Sequence, residues 1–272
     1  DDDLVRIACV VLEDRMGLRF HDGNRDLLET GLLRAAVQCG LPLSELLRQL
    51  CSPQVGDEIL QWVVQALTIC ETYFFRHPEH FAILEREIVP QLLRMGRRGV
   101  RAYSAGCATG EEAYSLAMVL AHGGLGLSAH VLGTDINRES LRIAERGVYG
   151  KRSLRSSSPL LDRYLLPLRG SAEVSVAPAV RAMTRFAPLN FGDAGALQQL
   201  QQAEEFDVIF CRNVLVYFAP HHVRRILEQL RDMLTPGGYL VLSALDLGKP
   251  LAGMDAVVID GVPILRRGLD AT

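Results

Sequence analysis

Residues 103–118 read Y-S-A-G-C-A-T-G-E-E-A-Y-S-L-A-M. The run Val100–Ala105 ahead of the glycines has strand character, and Glu111–Ala121 behind them reads as a helix. The G-C-A-T-G between them is therefore a turn from a strand into a helix. Such turns usually cradle phosphate, because free N–H groups and the positive end of the helix face the ligand. Here Glu111 and Glu112 open the helix. Acids there suit the helix dipole but oppose a phosphate. The turn asks for a ligand that accepts glycines and a carboxylate in one place.

Working outward, His130–Thr134 reads as a second strand ending at Asp135. Asn137 caps a helix through Leu141, Ile143 and Ala144, closed by Gly147. Phe206–Cys211 (F-D-V-I-F-C) is apolar on both faces, as in a covered parallel sheet. Pro220–Leu234 predicts a helix, stopped by Thr235-Pro236-Gly237-Gly238 and followed by a strand from Tyr239 to Ala244. Ala256–Ile259 and Pro263–Arg266 flank Asp260-Gly261, a hairpin signal. Alternating strands and helices predict an α/β, doubly wound, Rossmann-like sheet with an antiparallel edge hairpin.

Ahead of this lies a block without strand patterns, predicted as an all-α N-terminal domain over residues 1–85. Leu4, Ile7, Ala8, Val11 and Leu12 form a helical stripe that Gly17 ends. Asn24 caps a second helix, closed by Gly40 after Cys39, and Ser44 caps a third. Pro53 precedes a fourth, through Ile59, Val63, Ala66 and Leu67. Residues 86–272 then form the sheet domain. Its pattern weakens between Gly150 and Phe186, where Glu173–Val176 alternates like a short strand. A small β-flap insertion at about 150–186 is expected.

Composition narrows the function. The 272 residues are 49% hydrophobic, enough for a sizeable core, and the net charge is −3. That balance argues against a mainly electrostatic nucleic-acid partner. No apolar run approaches the roughly 20 residues a membrane helix needs, so no membrane insertion is expected. Asp1-Asp2-Asp3 gives no basic n-region, so no signal peptide is read. The six cysteines form no C-x-x-C pair, which fits reduced thiols and a cytoplasmic location. His77 with His80 and His221 with His222 lack a second ligand pair, so no metal site is predicted.

Ligands of open α/β sheets bind beyond the carboxyl ends of the strands. Three loops matter: 106–111, 135–138 and 212–217. Asp135 stands where an acid binds the ribose hydroxyls of a nucleoside cofactor, or else it only helps to cap the next helix. NAD would set a pyrophosphate against Glu111. S-adenosylmethionine (SAM) has no phosphate and carries a sulfonium and an ammonium, which Glu111 could meet. The acidic turn, the L-x-P-G-G stretch and the edge hairpin together favour a SAM-dependent methyltransferase fold.

Five motifs occur in order: E-T-Y-F-F-R (71–76), S-A-G-C-A-T-G-E-E-A-Y-S (104–115), T-D-I (134–136), F-D-V-I-F-C-R-N-V-L-V-Y-F (206–218) and L-T-P-G-G (234–238). With them the chain resembles, over nearly its whole length, the CheR-type chemotaxis receptor methyltransferases, which are protein-glutamate O-methyltransferases. The resemblance implies methyl transfer from SAM to receptor glutamates, leaving a methyl ester and S-adenosylhomocysteine. It implies a cofactor pocket of Thr72, Arg76, Gly106, Glu111, Asp135, Asn190, Phe191, Arg212 and Asn213, with Arg76 and Tyr217 nearest the methyl. It implies the cytoplasmic helical region of a chemoreceptor as partner, and other chemosensory array proteins beside it. Cys70 departs from the Asn usual there, and Ser243-Ala244-Leu245-Asp246 departs from G-x-S-E. These departures leave open a second reading, a SAM-binding regulatory or scaffold protein with little catalysis.

Overall fold

A computed structural model of the chain describes residues 2–20, 25–52, 54–97, 99–243, 246 and 251–269. Four helices come first: α1 (Asp2–Met16), α2 (Arg25–Cys39), α3 (Leu43–Leu50) and α4 (Asp57–Leu67). They close on a core of their own, with Leu12, Leu28, Leu32, Leu46, Leu50 and Val63 almost fully buried. The α1 stripe is rotated from its expected position. Ala8, Leu12 and Met16 face inward, while Ile7 is 47% exposed. Gly17, at φ 70°, ends α1 as expected. Pro42 stands at the N-cap of α3, with Ser44 inside the helix. The expected cap Asn24, the side chain of Leu4, and Pro53 lie outside the described residues.

The chain continues through α5 (Pro78–Ile83), a π-helical turn (Leu84–Ile88) and α6 (Val89–Arg94). Pro90 has no N–H to give to the carbonyl four residues back, and the widened turn ahead of it accommodates that loss. Helix thus extends past residue 85, where sequence reading ended the helical block.

The sheet strands are β1 (Arg101–Ala105), β2 (His130–Asp135), β3 (Val148–Tyr149), β4 (Leu165–Pro167), β5 (Val174–Val176), β6 (Thr184–Pro188), β7 (Phe206–Cys211), β8 (Leu234–Leu242), β9 (Met254–Ile259) and β10 (Val262–Arg267). Seven of them build one sheet in the order β6-β2-β1-β7-β8-β10-β9. The first five are parallel, and β10 runs antiparallel between β8 and β9. Asp260 (φ 49°) and Gly261 (φ 80°) make the two-residue turn into β10. The chain winds from β1 outward to β2 and β6, then returns to β7 and β8 on the other side. The switch point therefore lies between β1 and β7.

The intervening helices are α7 (Glu111–His122), α8 (Arg138–Arg146), α9 (Pro159–Tyr164), α10 (Pro178–Ala182), α11 (Ala194–Ala203) and α12 (Pro220–Asp232). Side chains alternate across the sheet. Ala102, Val208 and Phe210 join a layer with α7, while Tyr103, Ile209 and Cys211 join one with α12. Every residue of β7 is buried, as its apolar run predicted.

The flap agrees with the sequence reading, and two strands differ from it. The flap is present as the three-stranded antiparallel sheet β3-β5-β4. The span expected for it, 150–186, runs into the first residues of β6, which belongs to the main sheet. Threonine, arginine and proline in T-R-F-A-P hide the strand pattern, and its edge position leaves it only partly covered. The Thr235–Gly238 turn is part of β8, not a break before it. Thr235 Oγ1 donates to buried Asp207 at 3.0 Å, and the register shifts between Phe206 and Val208 to take up the glycines.

Candidate functional site

A cavity of about 390 Å³ opens beyond the carboxyl ends of β1, β2 and β7, at the switch point. It lies between the sheet and the helical block. Leu67, Thr68 and Cys70 close it on one side, and Met16, Leu18 and Phe20 on another. Short main-chain links tie the walls together. Arg19 N–H donates to the Tyr217 carbonyl at 2.8 Å, and Leu18 bridges to Phe218.

The glycine turn forms the floor. Gly106 has φ 76°, and a Cβ there would lie 2.3 Å from Val214 Cγ2, so glycine is required on both counts. The turn spends its own donors. Gly106 and Cys107 N–H groups go to the Thr134 carbonyl at 2.8 and 2.9 Å, and Gly110 N–H goes to the Cys107 carbonyl at 2.9 Å. Ala108 N–H goes to Asp135 Oδ2 at 2.8 Å. Those amides are not open to a phosphate.

Asp135 lines the cavity at the end of β2 and is not the cap of the next helix. Its other oxygen accepts from Asn137 N–H at 2.9 Å, while the cap itself is the Asn137 side chain, accepting from Glu139 and Ser140. Burial raises the Asp135 pKa, opposed by the N–H groups of Asn137, Ala108 and Ile136. Cys70 closes the same corner, its Sγ accepting from Ser140 Oγ at 3.1 Å and Asn137 Nδ2 at 3.5 Å.

Of the two glutamates, the structure corrects the choice made from sequence. Glu111 turns away from the cavity, and its carboxylate accepts from Thr109 Oγ1 at 2.6 Å and Ser153 Oγ at 2.7 Å. Burial raises its pKa. Glu112 lines the cavity instead. It accepts from Ser104 Oγ at 2.7 Å and pairs with Arg212 Nη2 at 2.8 Å. At the first turn of a helix, adjacent residues point about 100° apart, so only one of two neighbours can face a given wall. The sequence points to Glu111 through the turn and through the motif match; α7 is buried at Glu111 and at every residue from 113 to 120, so its burial pattern gives no signal that separates the two acids.

Arg212, directly after β7, lies below the cavity with only 2% of its side chain exposed. Its Nε reaches Glu112 at 2.9 Å, and Nη1 reaches the Arg76 carbonyl at 2.7 Å and His80 Nδ1 at 3.1 Å. The guanidinium carbon lies 5.1 Å from the ring centres of both Phe81 and Phe210. Sequence reading did not include His80.

Arg76 arrives on a turn in which Phe75 (φ 55°) and His77 (φ 60°) both adopt the left-handed region. Non-glycine residues there carry strain, which surrounding contacts must hold. Phe75 is held by its buried ring and by its N–H to Ser115 Oγ at 3.0 Å. The Arg76 side chain donates to the Glu71 carbonyl at 2.6 Å. Tyr217 lines the same cavity. Burial pushes its phenol pKa up, and the charge of Arg76 pulls it part of the way back.

Thr72, Gly106, Asn190, Phe191 and Asn213 also line the cavity, so of the residues expected at the site Glu111 alone is absent from it. Asn190 has a structural task as well. Its Nδ2 donates to the Arg15 carbonyl at 2.7 Å and its Oδ1 accepts from Gly192 N–H at 2.9 Å, fastening α1 to the strand end. Among the described residues, no group of three or more His, Cys, Asp or Glu side chains is placed to hold a metal ion.

Residues 70–246 match the family model described as CheR methyltransferase, SAM binding domain. The chain is 33% identical over 245 residues to chemotaxis protein methyltransferase 1 of Pseudomonas aeruginosa, covering 86% of each. It is 32% identical over 240 residues to the chemotaxis protein methyltransferase of Vibrio parahaemolyticus, covering 86% of this chain and 85% of that one. It is 32% identical over 243 residues to the chemotaxis protein methyltransferase of Salmonella typhimurium, covering 86% and 80%. Sheet order, switch-point cavity and these matches agree: the chain belongs to the CheR methyltransferase family.

Proposed function

We propose that the protein transfers the methyl group of SAM to glutamate side chains of a chemoreceptor, giving glutamate methyl esters and S-adenosylhomocysteine. The observation that carries this reading is one cavity lined at once by Asp135, Glu112, Arg76 and Tyr217. The residues fit SAM better than a dinucleotide. The amides of Gly106, Cys107, Ala108 and Gly110 are already bonded, and acids line the wall. Asp135 would take the ribose hydroxyls. Glu112 would face the ammonium, with Thr72, Asn190 and Asn213 adding polar contacts. Ile136, Leu189, Phe191 and Val214 supply the apolar surface an adenine needs.

When bound, SAM supplies an electrophilic methyl carbon. The chain's own task is then positioning. A substrate glutamate has an ordinary pKa of about 4.3 and is ionised at neutral pH, so no general base is needed. Arg76 uses one N–H on the Glu71 carbonyl, leaving the rest of its planar fork to orient a carboxylate. The Tyr217 phenol, kept protonated, donates to the same group. The walls exclude water from a weak nucleophile that must lie roughly 3–3.5 Å from its target.

We further propose a division into an all-α N-terminal domain and a sheet domain, the cytoplasmic helical region of a receptor as partner, other chemosensory array proteins beside it, and action in the cytoplasm. Incubation with methyl-labelled SAM and receptor-bearing membranes should give base-labile label on the receptor. Calorimetry should show binding of SAM and its demethylated product and none of NAD. Tight SAM binding without any methyl ester would instead identify a scaffold.

A further inference from the structure

We propose that His80 is a positioning residue for the cofactor site: its neutral imidazole, through Nδ1, fixes the Arg212 guanidinium that holds Glu112 at the cavity wall. The proposal rests on reading the cavity as the SAM site.

The chemistry of the pair allows one arrangement. Arginine has N–H donors and no acceptor. With Arg212 Nη1 at 3.1 Å, His80 Nδ1 must therefore present a lone pair, which puts the ring proton on Nε2. An imidazolium would set two donors face to face beside a buried cation. His80 is 7% exposed, and burial together with the Arg212 charge lowers its pKa to about 4. Its ring packs edge-on against Phe210 at 6.4 Å, so its plane is held from the other side.

The geometry explains why the acceptor matters. Arg212 gives Nε and Nη2 to Glu112, and Nη1 to the Arg76 carbonyl and to His80. Without His80, one buried N–H loses its partner, and the planar fork can tilt about the remaining bonds. A tilt moves Glu112 at one end and the carbonyl of the strained Arg76 turn at the other. One ring thus sets both the cofactor wall and the residue nearest the proposed chemistry.

The test uses His80→Phe, which keeps the ring packing and removes the acceptor, and His80→Asn, whose Oδ1 replaces the Nδ1 lone pair. Calorimetry with S-adenosylhomocysteine should show His80→Phe about ten-fold or more weaker, the scale of a lost hydrogen bond to a charged group. His80→Asn should recover most of that affinity. In a cycle with Glu112→Gln, the two losses should be strongly non-additive. Unchanged affinity in His80→Phe, equal losses in both His80 variants, or additive losses would each overturn the proposal. A readout without cofactor uses the wild-type protein: nitrogen NMR at neutral pH should show His80 Nδ1 unprotonated, and a protonated Nδ1 would overturn the assignment outright. If wild type fails to bind the product at all, the cofactor reading of the cavity fails, and the nitrogen spectrum alone decides the role of His80 toward Arg212.

Discussion

Arg212 Nη1 donates to the backbone carbonyl of Arg76 at 2.7 Å, joining residues 136 positions apart in the chain. The bond ties the strand that ends at the switch point to the turn that carries the proposed methyl-side arginine. It also separates two roles. The backbone of Arg76 serves the fold, while its side chain faces the cavity.

Arg76→Ala should therefore keep the backbone anchor and lose the fork. Turnover of labelled methyl groups should fall by about 100-fold or more, the scale of lost substrate orientation. Product affinity by calorimetry should weaken only a few-fold. Undiminished turnover would refute the assigned role.

The two glutamates of the turn should behave oppositely. Glu112→Gln leaves the buried Arg212 charge uncompensated, which costs about 3–5 kcal/mol for such pairs. Glu111→Gln should cost less, about 1 kcal/mol, since one of the Thr109 and Ser153 hydroxyls keeps an oxygen acceptor and the other can turn to accept from the new amide NH2. Urea denaturation of both variants measures the contrast. Equal losses would show that the ion pair with Arg212 is not what distinguishes them.

Asp135→Ala removes a ligand group and a fastening at once. SAM affinity should drop by roughly 1–3 kcal/mol. The melting temperature should drop too, because Ala108 and Asn137 lose the acceptor for their N–H groups. A variant with unaltered calorimetric affinity would exclude Asp135 from the cofactor site.

Gly106→Ala meets both a left-handed backbone and the Val214 side chain. The strain should lower stability by at least about 2 kcal/mol. A denaturation midpoint equal to wild type would mean that the turn can relax without cost.

Acid should weaken the fold through His80. Freed by unfolding, its imidazole titrates near about 6.5. In the native protein burial and Arg212 lower it to about 4. Between those values the unfolded state holds the extra proton, so this contribution is present above about pH 6.5 and is lost as pH falls toward about 4. His80→Phe should flatten that stretch of the stability curve relative to wild type. Superimposable curves would show that His80 titrates normally in the native state.

Much of this was legible because the decisive signals are local. F-D-V-I-F-C has only one reading as a doubly covered strand, and the Asn137 cap and the Asp260-Gly261 turn are set by a few side chains. The parts that escaped depend on partners far away. β6 hides because an edge strand needs no unbroken apolar run. β8 starts early because Asp207, 28 residues back, receives Thr235. His80 looked like half of a weak histidine pair until Arg212 arrived from 132 residues on. Glu112 was missed for a different reason. Composition marks an acidic turn, but only the rotation of α7 decides which acid faces the cavity.

The hairpin strand β10 is the last strand among the described residues, yet it lies inside the sheet, between β8 and β9. During synthesis the nine-residue β8 must wait with one rim unpaired until residues 262–267 have left the ribosome. An exposed rim of that length invites pairing with other chains. Closure of the sheet thus waits for β10, and a chain lacking those six residues would be sticky long before it lost any residue of the cavity.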